Sequence, residues 1–372
     1  MVSERFIALI QIFTNILSLT RGETRTSESV RDTKPTYLVF QHDGDCTTHS
    51  SDVISVLPAS LLDESDKPLF KEVAEDDQVV ITRETIFHPQ GGGQPSDVGT
   101  MKSPKTGLVF AVKSVRSSAS RAGTVYHLGQ FDSAGSTFAA GEPVMQEIDA
   151  AQRLLFSRYH TAGHVLGCAV RSLLEKEVEG FDELKASHFP DSASCEFAGS
   201  IAGSHKDAIQ KKVDEYIDQD MAVEIDWWDE NDFKQNGYER LIPDRKMLLP
   251  GETKFRVVRI VGAEVYPCGG THVHTTKQCG KTTVKKISRS KGTSRVSQFH
   301  RIMAYQLLAV HAKDYDRFAH SITKIIQSRK STLSQGSSLR LFYQASIRPL
   351  PMPTQMQTVT SFAPCSYTKP NY

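Results

Sequence analysis

The chain has 372 residues, 39% of them hydrophobic and 23% charged, a composition suited to a soluble globular enzyme with a substantial core and room for two subdomains. Its formal net charge of +1 neither requires nor rules out a nucleic-acid partner, so local charge has to decide. Six cysteines, at 46, 168, 195, 268, 279 and 365, lack the compact spacing of a disulfide scaffold and favour a reducing compartment.

Residues 1–36 open with the apolar run FIALIQIFTNILSL and continue into polar RGETRTSESVRDTK. The run is short for a membrane span and is interrupted by Gln11, Thr14 and Asn15. Glu4 and the lack of a small-residue cleavage site weaken a signal-peptide or presequence reading. This segment is read as an extension, its order left open, on a protein expected to be cytoplasmic, with organellar targeting as the alternative.

From 37 to 147, the short strand candidates TYLVF, QVVITRETIF, LVFAVKSV and TVYHL alternate with Gly, Ser and Pro turns, predicting a small β-barrel-like subdomain. Within it, Ile86 to Gly99 reads IFHPQGGGQPSDVG. Gly91, Gly92 and Gly93 allow positive φ and let main-chain amides approach a ligand. The plain alternative is a glycine-rich β-turn. No helix-opening pattern or GKS/GKT follows, so neither a Rossmann nor a P-loop reading is supported. Gln94 offers an amide able to donate to, or accept from, a bound ester or ribose.

From 148 to 315 the pattern is α+β. Ala150 to Val178 carries Leu155, Ala162, Leu166, Ala169 and Leu173 at helical intervals, which puts His160 and His164 on one face of a helix. Gly163 and Gly167 lie in that helix although each costs about 1 kcal/mol relative to Ala, as expected if another backbone or a substrate approaches closely. A second helix is predicted over Ser204 to Asp220 with Ser204 as its N-cap, and strands at Ala222 to Trp228 and Lys254 to Val261. Pro267, Gly269 and Gly270 then predict a tight turn in which Cys268 and His272 converge. Three imidazoles and one thiolate form a donor set suited to tetrahedral Zn2+. Cys279 is a lower-ranked alternative ligand. The HxxxH run lacks the Glu of HExxH, which argues against a zincin protease.

Lys277 to Arg301 holds eight Lys or Arg and no Asp or Glu. Lys285, Lys286, Lys291 and Arg295 are the candidates for phosphate contact, against the plain reading of a solvated strand and turn. Residues 316–372 are expected to form a helical end and then a disordered tail rich in Pro, Ser and Thr.

The segments IFHPQGGGQPSDVG, HTAGH and CGGTHV, in this order and spacing, resemble the AlaX-type alanyl-tRNA editing proteins and the editing domain of alanyl-tRNA synthetases, with looser similarity from about Tyr37 to Arg301. The resemblance implies the same fold, with His160, His164, Cys268 and His272 as zinc ligands and Gly91, Gly92, Gly93 and Gln94 beside the aminoacyl end of the substrate. A Thr that recognises the serine hydroxyl in the family falls in LKASHFPDSASCEF here, where Ser187 is the candidate. His88 stands where the family commonly has Tyr. The implied activity is trans-editing hydrolysis of mischarged alanine tRNA, carrying serine or glycine. The competing readings are a noncatalytic zinc-stabilised tRNA-binding module and a deacylase for another tRNA, such as threonine tRNA; CGGTH and GGGQ favour the alanine type.

Overall fold

The structure, a computed structural model, describes residues 34–248 and 251–300. The expectations for most of the amino-terminal extension and for the carboxy-terminal helix and tail lie outside the described residues. Among the described residues, no helix is long and apolar enough to cross a membrane.

The first half of the chain runs through β1 (Tyr37–Leu38), α1 (Val39–His42), β2 (Thr48–Pro58), β3 (Gln78–Thr82), β4 (Glu84–Thr85), β5 (Gly99–Lys102), β6 (Val109–Ser117), β7 (Val125–Phe131) and β8 (Pro143–Ile148). Six of these strands close a barrel in the order β2-β3-β7-β6-β5-β8. Period-two alternation drives the closure: in β8, Val144, Gln146 and Ile148 point inward and their neighbours outward. The interior is packed by Phe87, Met101, Phe110, Val115 and Val144. Gln146 is tolerated among them because its amide is satisfied by Ile86 N, Thr82 Oγ1 and the Glu84 carbonyl. TYLVF is strand only at Tyr37–Leu38 and then turns into α1. Val39 and Phe40 bury their side chains there, against the strand preference of their types.

The second half comprises α2 (Ala150–Leu174), β9 (Asp182–Ser187), β10 (Ser194–Ala198), α3 (Lys206–Asp218), β11 (Val223–Trp228), α4 (Glu230–Gln235), β12 (Phe255–Ile260), β13 (Glu264–Pro267), β14 (Thr282–Ser290) and β15 (Thr293–His300). One sheet has the order β14-β15-β10-β9 and another β11-β12-β13. Barrel, sheets and helices together make an α+β fold.

Asp149 caps α2 by accepting from the amides of Ala151 and Gln152. Every residue from Tyr159 to Arg171 is buried, so this middle stretch of the helix is enclosed on all sides. Arg153 ties this helix to the barrel: it is ion-paired with Asp97 and donates to the carbonyls of Ile86 (2.5 Å) and Gly44 (2.9 Å). The expected cap at Ser204 is not formed. Residues Gly203–His205 make a 3-10 turn, and α3 begins from His205 without a side-chain cap.

Candidate metal centre

His160 and His164 project from α2, one helical turn apart, and Cys268 and His272 come from the turn that follows β13. One ligand atom from each side chain lies within 4.8 Å of all the others. Cys268 Sγ is 3.4 Å from Nε2 of both His160 and His272. Standard Zn–S and Zn–N bond lengths at a tetrahedral angle give a sulfur–nitrogen edge of about 3.5 Å. These two edges suit zinc, and the four residues together could hold a metal ion.

The electrostatics agree with the geometry. Burial, then mutual repulsion among the imidazoles and with His188, holds His160 well below the usual histidine range. His164 and His272 are depressed for the same leading reason, with the Arg256 cation contributing. Neutral imidazole is the form that ligates. His164 Nδ1 is buried and has no hydrogen-bond partner, which fits a metal ligand better than a satisfied core histidine. Burial raises the Cys268 thiol, while Arg256 and the Gly270 amide pull it back toward ionisation. Arg256 is itself buried and donates to the carbonyls of Gln41 (2.9 Å) and Cys268 (2.5 Å).

Outer hydrogen bonds orient the rings. His160 Nδ1 meets Gln94 Oε1 at 2.7 Å, and that oxygen also accepts from Thr271 N at 3.0 Å. Gln94 Nε2 donates to Thr271 Oγ1, which is 2.7 Å from Ser157 Oγ. His272 Nδ1 meets Thr161 Oγ1 at 3.1 Å, and the Val273 amide donates to the same oxygen. With the Nδ1 atoms of His160 and His272 held outside, their Nε2 atoms face the sulfur, the arrangement metal-bound histidines usually show. Gly270 is required by close approach: a Cβ there would lie 2.3 Å from His160 Cε1 and 2.7 Å from Gln94 Oε1.

Gln94 is fully buried and committed to His160 and Thr271. The structure gives it an orienting place behind His160. Gly91 to Gln94 form a tight reverse turn, each donating to the other's carbonyl, with Gly92 and Gly93 at φ of 55° and 79°. This is the pattern of a two-residue hairpin turn, so the glycines first serve chain reversal. Ser187 does not join the cluster. Its cross-strand neighbour is Ser194, and it lines a cavity of about 210 Å3 with Lys185, Ser194, Glu196 and Arg295. Ala186 and Cys195, one residue along each strand, pack on the opposite, core side. Alternation places Ser187 on the face turned away from α2.

Lys285, Lys286, Lys291 and Arg295 are exposed on the β14–β15 hairpin. Its tip is Lys291–Gly292, both at positive φ. Lys285 sits at a bulge between Val284 and Lys286, and Arg295 Nε donates to Ser194 Oγ at 2.9 Å. Cys279 is buried in the apolar core beside α2, with its thiol pushed up to about 12 by burial, and is not among the clustered ligands. Sequence reasoning missed Thr161, Arg256, Thr271 and His188. The hydroxyl between the two helical histidines was a usable signal for Thr161.

Residues 255–297 match the family described as the threonyl and alanyl tRNA synthetase second additional domain, a stretch that includes Cys268, His272 and most of the basic hairpin. Over 224 residues the chain is 30% identical to alanyl-tRNA editing protein AlaX-L of Pyrococcus horikoshii, covering 60% of this chain and 51% of that protein. It is 27% identical to alanyl-tRNA editing protein AlaX-M of Methanosarcina barkeri, over 60% of this chain and 88% of that protein. The chain is a relative of the AlaX-type alanyl-tRNA editing proteins. An alanine–tRNA ligase of Methanosphaera stadtmanae is also similar, 28% identical over 58% of this chain and 23% of the ligase. The match thus spans about half the length of the Pyrococcus AlaX-L protein and under a quarter of that ligase. Kinship with AlaX proteins is consistent with the glycine turn and the two ligand pairs standing together in one unit of structure.

Proposed function

We propose that the chain is a trans-editing hydrolase that cleaves the ester joining serine or glycine to the 3′ end of alanine tRNA, at a zinc centre held by His160, His164, Cys268 and His272. The observation that carries this reading is the convergence of those four side chains, from two distant segments, within 4.8 Å of one another. Two relatives named as alanyl-tRNA editing proteins support the substrate class.

Zinc bound there would supply Lewis acidity toward the ester carbonyl or an anchor for the substrate's amino group. The chain's own residues do the rest of the positioning. Gln94 and Thr161 keep the His160 and His272 rings turned toward the sulfur, and Arg256 favours the ionised thiol. Lys285, Lys286, Lys291 and Arg295 offer cations to a tRNA backbone. The test is release of serine from serine-charged alanine tRNA, compared with alanine-charged tRNA, with and without a chelator. Absence of metal-dependent serine release overturns the hydrolase reading.

One observation favours a second reading. Four protein ligands leave no open position, as in structural zinc sites. A noncatalytic zinc-stabilised tRNA-binding module would retain charged tRNA in the same assay without releasing serine.

A further inference from the structure

His188 follows the last residue of β9. Ala186 packs on the core side of this strand and Ser187 faces away from α2, so alternation turns His188 back toward the helix. Its ring is 2% exposed and lies on His160, with ring centroids 4.2 Å apart and planes 25° from parallel. The ring fills the notch left by Gly163: a Cβ there would sit 2.3 Å from His188 Cε1 and 2.4 Å from Nδ1. This contact explains a glycine placed between two ligands in mid-helix, despite its cost of about 1 kcal/mol.

The main chain of the same residue reaches the other half of the site. His188 N donates to the Gly93 carbonyl at 2.8 Å. Gly93 sits at φ 79°, and a Cβ there would be 2.3 Å from the Ala186 carbonyl. One residue therefore touches the ligand helix with its ring and the glycine turn with its backbone.

His160 needs such a contact. The hydrogen bond from its Nδ1 to Gln94 holds one ring edge, while χ2 of histidine is a broad torsion, so one edge contact limits the tilt of the ring only loosely. A buried ring stacked on its face stops the tilt.

We infer that His188 is a positioning residue of the metal centre: its imidazole fixes the plane of His160, and its amide locks the glycine turn against the ligand helix. The inference rests on the zinc reading of the four-ligand site and gives the 93 and 163 glycines a common purpose.

The experiment compares the full chain with H188A, H188N and H188F, each loaded with Zn2+ or Co2+, reading affinity by chelator competition and the Co2+ ligand-field spectrum. Thermal melts followed by circular dichroism check folding. H188A and H188N are expected to bind Zn2+ about 10- to 100-fold more weakly, as loss of an outer support commonly does, with altered Co2+ bands. H188F, which keeps a flat ring, is expected to restore most of the affinity and the parent spectrum. If H188A does not fold, H188N carries the comparison.

Parent-like affinity and spectrum in H188A or H188N overturn the inference alone. So does a spectrum in H188F that has lost a nitrogen donor, since His188 would then be a ligand. A parent chain that binds neither ion removes the zinc reading and this inference together.

Discussion

Gln94 Oε1 accepts a 2.7 Å hydrogen bond from His160 Nδ1, joining a barrel turn to the ligand helix in the buried interior. The bond sets the tautomer of His160 and leaves Nε2 free to ligate. Replacing Gln94 with Ala leaves the His160 and Thr271 donors without that acceptor, each at about 1–3 kcal/mol. Zinc affinity should fall about 10- to 100-fold, measured by competition with a chromophoric chelator. Unchanged affinity would remove Gln94 from the support of the centre.

Gly270→Ala places a methyl group 2.3 Å from the His160 ring. The ring or the turn must shift, and both carry ligands. Metal content is expected to drop severely while the barrel still folds, read by elemental analysis alongside a circular dichroism melt. Full zinc occupancy in a folded G270A protein would contradict the observed packing.

Arg256→Met removes the cation that favours the Cys268 thiolate. With only the Gly270 amide left to oppose burial, the thiol should ionise at higher pH, so the pH at which half the protein is metal-loaded should move upward. The carbonyls of Gln41 and Cys268 also lose a donor, and stability should fall by about 1–3 kcal/mol per group left unpaired. Metal uptake titrated against pH in parent and variant checks the direction of the shift.

His127, inside the barrel, bonds to Thr85 Oγ1 (2.8 Å) and the Val80 carbonyl (2.9 Å), and burial lowers its pKa to about 4. In the unfolded chain it titrates near 6.5, so between those values the unfolded state holds the extra proton. Stability should therefore be full above pH 6.5 and decline as pH falls toward 4, by about 2 kcal/mol at pH 5 from this residue. His127→Gln should flatten that part of the slope in urea titrations at pH 7 and 5. A slope identical to the parent's would show that His127 does not drive it.

Lys286→Ala and Lys291→Ala should each weaken tRNA binding without changing zinc content. If each side chain meets one phosphate, the log–log salt dependence of binding should become shallower by about 1 per residue removed. Fluorescence anisotropy across a salt series gives the slope. An unaltered slope would place these lysines outside the tRNA contact.

The four-residue cluster was legible because each pair is local: a helical repeat fixes the spacing of His160 and His164, and a glycine turn that of Cys268 and His272. The barrel was legible from strand alternation, except where Val39 and Phe40 followed their burial into a helix. The supporting residues were harder to read. The bonds of Gln94 to His160 and Thr271 were not legible, because no local pattern announces a long-range hydrogen bond. The side on which Ser187 lies was not legible, because β9 is an edge strand that slips register opposite Glu196 and Phe197. Side-chain alternation along β9 puts Ser187 and His188 on opposite faces, and that parity depends on a register the sequence does not print.

The ion pair of Arg153 with Asp97 has a further effect. Asp97 belongs to the barrel and is 2% exposed, while its counter-charge arrives from a helix that starts only after the last barrel strand. A fragment ending at Ile148 would lose Arg153 and leave the Asp97 carboxylate with the His88 amide but without its counter-charge. The barrel is thus poorly suited to excision as a free-standing part, and shuffling that separated it from the histidine helix would be penalised before any loss of chemistry was felt.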